Sequence, residues 1–186
     1  MDARVAIGSR EYFFFLMLLL MSRAADLFST WIATPNLVLE GNPIAKRMGW
    51  KWGTFVNLTL CGALGVWPLA AIIIATTSFF VAAHNFQFAW LMRTLGELDY
   101  RDWFAEQLRR TNLALYLVCL FGQTTAITLI GGALILFSQG LLVPFAIGLG
   151  TIGYASAVLL FTLLGVWRMR RRKGRMHRNP LPADVV

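Results

Sequence analysis

The chain has 186 residues, a formal net charge of +8, 58% hydrophobic residues and only 14% charged ones. Its mean hydropathy is +0.62. Soluble domains carry about 25% charged residues, so this composition excludes an ordinary soluble globule and indicates an all-α, polytopic membrane protein. The positive charge is gathered at segment ends on one expected side of a membrane, which argues against nucleic-acid binding.

The first 25 residues imitate a signal peptide, with Arg4 and Arg10, an apolar run from Phe13 to Met21, and then Ser22-Arg23-Ala24. The run is read instead as the first half of a transmembrane helix over about 12–34. A charge at the centre of such a helix costs roughly 2.5–3.5 kcal/mol on insertion scales. Arg23 and Asp26 are three residues apart and therefore neighbours on the helix surface, where they can form an intramembrane ion pair. Ser22, Asp26, Ser29 and Thr30 continue a polar stripe that should face other helices or a wet cavity rather than lipid.

Thr34-Pro35-Asn36 should end this helix, and the loop that follows carries Glu40, Asn42 and Pro43. Two readings of the loop stay open. If residues 35–43 fold back, Glu40 and Asn42 approach Asp26, and the three oxygen-bearing groups suit a bound hard cation or a proton shared by two carboxylates. Asp26 and Glu40 are then weak metal candidates. Alternatively, Asn42-Pro43 opens a short interfacial helix, "PIAKRMGW", with Trp50 and Trp52 at headgroup level.

A second span is expected over about 55–82, kinked at Trp67-Pro68. On that reading His84-Asn85 lies beyond the hydrocarbon core, at the far face from the Glu40 loop, with His84 near Glu11 or Arg93. A site shared with Asp26 would require a large tilt or a broken second helix. Residues 95–110, within "RTLGELDYRDWFAEQLRR", form an amphipathic pattern expected to lie along the membrane surface. The third span, about 112–137, carries Gln123, Thr124, Thr125 and Thr128. The fourth, about 142–167, places Ala146, Gly150, Gly153 and Ala157 within about 60° of one another on the helix. Such a stripe permits close packing in lipid, either with the third span or with a partner or second copy.

Residues 1–167 thus read as a single membrane domain of four transmembrane helices plus an interfacial helix, and 168–186 as a basic cytoplasmic tail. That tail suits anionic lipid headgroups or a docking partner, and its last residues are expected to be disordered. With the N-terminus inside, 13 of the 17 Lys and Arg fall in cytoplasmic segments, so both termini are expected in the cytoplasm of a bacterial-type inner membrane. Cys61 and Cys119 lie in apolar runs, where no disulfide is expected. The two histidines form no metal motif, no phosphate loop or nucleophile motif is present, and no cofactor is identified.

Asp26-x-x-Ser29-Thr30, then Glu40-x-Asn42-Pro43 with Ala45, resembles uncharacterised small multi-pass membrane proteins of prokaryotes that carry an Asp-x-x-[Ser/Thr]-Thr … Glu-x-Asn-Pro pattern. The resemblance covers roughly residues 22–53. It implies no activity and marks Asp26, Ser29, Thr30, Glu40, Asn42 and Pro43 as the positions to test. Two function classes follow: a non-enzymatic subunit or assembly partner of a membrane complex, or a small membrane enzyme or ion-coupled transporter using Asp26, Glu40 and Asn42.

Overall fold

In the computed structural model, the described residues are 4–176, with side chains through 168. They form six helices and no strand: α1 (Arg10–Ala33), α2 (Pro43–Leu64), α3 (Pro68–Leu95), α4 (Glu97–Arg110), α5 (Leu113–Leu136) and α6 (Leu142–Met176). Four of them, α1, α3, α5 and α6, are long and apolar enough to cross a membrane. Residues 177–186, which include His177 and the end of the basic tail, lie outside the described residues.

Local chemistry sets the helix starts. Ser9 Oγ accepts from the Tyr12 amide at 3.1 Å, and Asn112 Oδ1 accepts from the Ala114 amide at 2.9 Å, each satisfying a donor that the first helical turn leaves open. Pro43 and Pro68 occupy the first turns of α2 and α3, where a missing amide hydrogen costs nothing. Gly96, at φ +85°, separates α3 from α4, a backbone conformation that residues with a Cβ seldom adopt.

The expected span over 55–82 does not exist as one helix. The chain stops at Leu64, turns through Gly65-Val66-Trp67 and restarts at Pro68. The turn reverses direction rather than kinking a single span. Tyr12 Oη donates to the Gly62 carbonyl (3.2 Å) and the Trp50 indole donates to the Pro35 carbonyl (2.7 Å), so α2 runs antiparallel to α1. By contrast α3 runs parallel to α1: Arg23 meets Ser78, and Ser29 and Thr30 meet Asn85. Proline lacks the N–H that would donate the backbone hydrogen bond a continuous helix needs at position 68, and the turn is closed by Trp67 N–H to the Leu64 carbonyl at 3.0 Å.

Contacts run α2 to α1, α1 to α3, α3 to α6 and α6 to α5. The α1–α3 interface is built from small side chains at alternating intervals of three and four. Leu19, Ser22, Ser29 and Ala33 are buried on α1, with Asp26 between them; Ala71, Ala75, Ser78, Ala82 and Ala89 are buried on α3. This 3.5-residue repeat is the pattern of a left-handed helix pair, and small residues let the backbones approach without a hydrophobic driving force.

On the far side of α3, the glycines of the expected α6 stripe, Gly150 and Gly153, meet α3 rather than the third span. A Cβ at Gly150 would stand 2.8 Å from the Ile73 carbonyl and 2.8 Å from Thr76 Cβ, so this position meets α3. Gly153 faces Thr77 of the same helix, and Ala146 is fully buried. The contact with α5 instead uses Gly148 and Gly131, whose added Cβ atoms would lie 2.6–2.8 Å from each other's carbonyl oxygens. Tyr154 of α6 stacks on Phe80 of α3, four residues beyond Gly150, which makes α6 parallel to α3.

One end of the bundle therefore holds residues 4–10, the 65–67 turn and the 137–141 turn. The opposite end holds the 34–42 loop, α4 and the end of α6. Arg10 and Arg168 are at opposite ends, which departs from the expectation that both termini share a face. The reason is α2, which returns the chain a further time through the bundle.

Candidate functional site

The polar stripe of α1 is met by polar groups from two other helices. Arg23 is the hub. Its Nε donates to Asn57 Oδ1 of α2 at 2.7 Å, and its Nη1 donates to Asp26 Oδ2 at 2.7 Å and to Ser78 Oγ of α3 at 2.9 Å. The Arg23 and Asp26 side chains are 27% and 15% exposed, so this is a mostly sequestered pair. Such a pair is retained at little cost only when further hydrogen bonds serve the remaining donors, and Asn57 and Ser78 do so for the guanidinium. Asn57 is itself held by a 2.7 Å bond from its Nδ2 to the Gly53 carbonyl.

One to two turns further along α1, Asn85 of α3 donates through Nδ2 to Ser29 Oγ (3.2 Å) and Thr30 Oγ1 (3.1 Å). Ser22 and Ser29 return their hydroxyl protons to the carbonyls of Leu19 and Asp26. Among the described residues no buried side-chain nitrogen or oxygen lacks a hydrogen-bond partner. The arrangement ties three helices through charge-assisted bonds in an otherwise apolar stack, where alternatives for those groups are costly.

The loop after α1 is organised by its own hydrogen bonds. Glu40 Oε1 accepts from the Asn42 amide at 2.7 Å, and Asn42 Oδ1 accepts from the Ile44 amide at 2.9 Å. Asn42 is thus the cap of α2. Glu40 and Asn42 lie in the loop that follows the helix carrying Asp26, and their side chains bond within that loop and the start of α2. Of the six expected positions, Asp26, Ser29 and Thr30 enter the interhelical network; Glu40, Asn42 and Pro43 form the start of α2. Among the described residues no group of three or more His, Cys, Asp or Glu side chains is placed to hold a metal ion.

A second junction closes the same end of the bundle. Glu97, the first residue of α4, accepts from the Asn36 amide (2.8 Å), the Asn36 Nδ2 (3.4 Å) and the Val38 amide (3.2 Å). Trp31 carries the Arg93 guanidinium over its ring at 5.9 Å. These groups border an open depression of about 610 Å³ lined by Ala33, Pro35, Asn36, Val38, Arg93 and Glu97 among others. His84 lies apart from this network: its ring packs against Phe88 and Tyr154, with centroids at 5.5 and 6.5 Å, and not near Glu11, which is at the other end of α1.

Sequence reasoning did not find Asn57, Ser78 or Asn85 as partners of the stripe. For α3 the signal was present. Ala71, Ala75, Ser78, Ala82, Asn85 and Ala89 recur at intervals of four and three, and the polar members fall on the same seam as the small ones. For Asn57 no comparable signal exists, because its contact depends on α2 folding back. Compared with known proteins, the chain matches no family model, no curated protein and no solved structure.

Proposed function

We propose that this chain is an integral membrane protein in which the Arg23 cluster acts as a structural clamp, and that it serves as a non-enzymatic subunit or assembly partner of a membrane complex. The observation that carries this reading is how the polar groups are used. Arg23 is engaged by α1, α2 and α3 together, while the Asn42 oxygen that a cation would need instead caps a helix. The resemblance to small prokaryotic multi-pass proteins, on this reading, concerns the corner between α1 and α2.

The exterior supports membrane insertion. Phe13, Phe14, Met17, Met21 and Phe28 are exposed along α1, and Leu115, Val118, Leu129 and Ile130 along α5, large apolar surfaces that lipid would cover. The distribution of charge between the bundle ends supports an orientation. Lys46, Arg47, Lys51, Arg93, Arg101, Arg109, Arg110 and Arg168 belong to the end bearing α4, against Arg4 and Arg10 at the other. The positive-inside rule then makes the α4 end cytoplasmic, with the N-terminus outside a bacterial-type inner membrane and the C-terminus inside. In this orientation α4 is the interfacial helix, with Tyr100 buried against the bundle and the Arg109 and Arg110 side chains paired to Glu106 at its surface.

The test is purification of the full chain in mild detergent. A stoichiometric partner or a discrete oligomer is expected, and a lone monomer refutes the assembly reading. A second reading, an ion- or proton-coupled transporter, is favoured by one observation: the loop carrying Glu40 directly follows the helix in which Asp26 is 15% exposed. It requires that Asp26→Asn or Glu40→Gln abolish proton or cation flux in proteoliposomes while the fold is retained.

A further inference from the structure

We propose that the groove beside the first turns of α2 is a binding site for one anionic phospholipid, with Arg47 taking the phosphate and Ile44, Met48 and Trp52 lying along an acyl chain. The inference rests on the membrane orientation given above, and it concerns a segment that a four-span topology would have put on the opposite side. Pro43, Ile44, Arg47, Met48 and Trp52 line an open groove of about 590 Å³. It arises because the helix is interrupted: Gly49 sits at φ +68°, ψ −176°, so residues 43–48 leave the axis of the helix that follows. The groove has one cation on a wall that is otherwise apolar, and the matching occupant is amphiphilic with an anionic head.

Three observations select a phospholipid rather than a free anion or a peptide. Ile44 is 68% and Trp52 66% exposed, so the apolar wall is uncovered at the level where Trp50 also lies. No ion pair or hydrogen bond engages the Arg47 side chain among the described residues, whereas Lys46 donates to the Val38 carbonyl. The Arg109 and Arg110 cations of α4, at the same end of the bundle, are already paired with Glu106. Guanidinium presents a planar fork of donors that matches phosphate oxygens in pairs. A free phosphate would gain nothing from the apolar wall, which a fatty chain would cover.

The experiment uses the full chain reconstituted in vesicles of a neutral phosphatidylcholine with a minor fraction of brominated lipid, read as tryptophan fluorescence quenching. Brominated phosphatidylglycerol should quench more strongly than brominated phosphatidylcholine at equal mole fraction. The difference should shrink in Trp52→Phe, and the selectivity ratio should fall about fivefold in Arg47→Gln, from about 1 kcal/mol per juxtamembrane cation. Arg47→Lys should restore part of it. Millimolar inorganic phosphate should leave quenching unchanged; displacement by phosphate would overturn the lipid assignment in favour of a free-anion site. Equal quenching by both lipids in the wild type, or a selectivity indifferent to Arg47→Gln, refutes the site. Absence of quenching by either lipid would instead refute the membrane reading on which it rests.

Discussion

Removing Arg23 is the most informative perturbation of the cluster. Arg23→Met keeps the apolar stem but deletes the donors to Asn57, Asp26 and Ser78, and it leaves the Asp26 carboxylate, 15% exposed, without its counter-ion. Hydrogen bonds to charged groups contribute about 1.5–3 kcal/mol each, and breaking one side of a buried pair costs about 3–5 kcal/mol. Because the Arg23 side chain retains 27% exposure, the lower part of that range, about 3 kcal/mol, is expected. Asp26→Leu should cost a similar amount by stranding the guanidinium. The double variant strands neither charge, and only the Asn57 and Ser78 acceptors lose a donor. It should therefore cost about 3 kcal/mol rather than the sum of the two single changes. Reversible unfolding in mixed detergent and denaturant, run as a double-mutant cycle, measures the difference. Costs that add to within about 0.5 kcal/mol would mean that the pair is not coupled, and the clamp account would be wrong.

Other positions give independent checks. Gly150→Ala forces a Cβ to 2.8 Å from the Ile73 carbonyl and should destabilise the α3–α6 contact by about 1–3 kcal/mol, whereas Gly132→Ala meets nothing within 4 Å and should be neutral in the same unfolding assay. Gly49→Ala must hold a φ of +68° with a Cβ present, so a loss of about 1–2 kcal/mol is expected. Glu97→Ala removes the acceptor for the Asn36 and Val38 amides. Faster amide hydrogen exchange at residues 36–38, with α5 and α6 unchanged, should follow. Asn85→Leu deletes the donor to Ser29 and Thr30 and should cost about 1–2 kcal/mol, with exchange increased near residues 29 and 30.

The apolar lengths of α1, α5 and α6 and the existence of α4 were legible in the sequence, because hydropathy and amphipathic spacing act locally. The Arg23–Asp26 pair was legible for the same reason: two residues three apart on a helix must be neighbours. What failed was the segment from Pro43 to Leu95. Window hydropathy merges the second half of α2 with the first half of α3, since Cys61 to Leu64 and Pro68 to Ala75 are both apolar and only a three-residue turn parts them. Proline at 68 was recognised as a break, but a proline does not say whether the chain bends or reverses. That error moved His84-Asn85 to the wrong level. Measured from Pro68, Asn85 is about 26 Å along α3, level with Ser29 and Thr30, and the break at residues 65–67 is what brings Asn85 to the stripe of α1, while His84 stays outside the network.

The reversal at residues 65–67 also decides how the chain is threaded, and site-directed thiol labelling tests it most directly. In a Cys61→Ala, Cys119→Ala background, single cysteines at the exposed positions Ile7, Lys46 and Leu98 are treated with a membrane-impermeant maleimide, in intact spheroplasts and after lysis. The account predicts labelling of Ile7→Cys in intact spheroplasts, with Lys46→Cys and Leu98→Cys labelled only after lysis. Labelling of Lys46→Cys from outside, with Ile7→Cys and Leu98→Cys both protected until lysis, would contradict it and restore four spans with both termini in the cytoplasm.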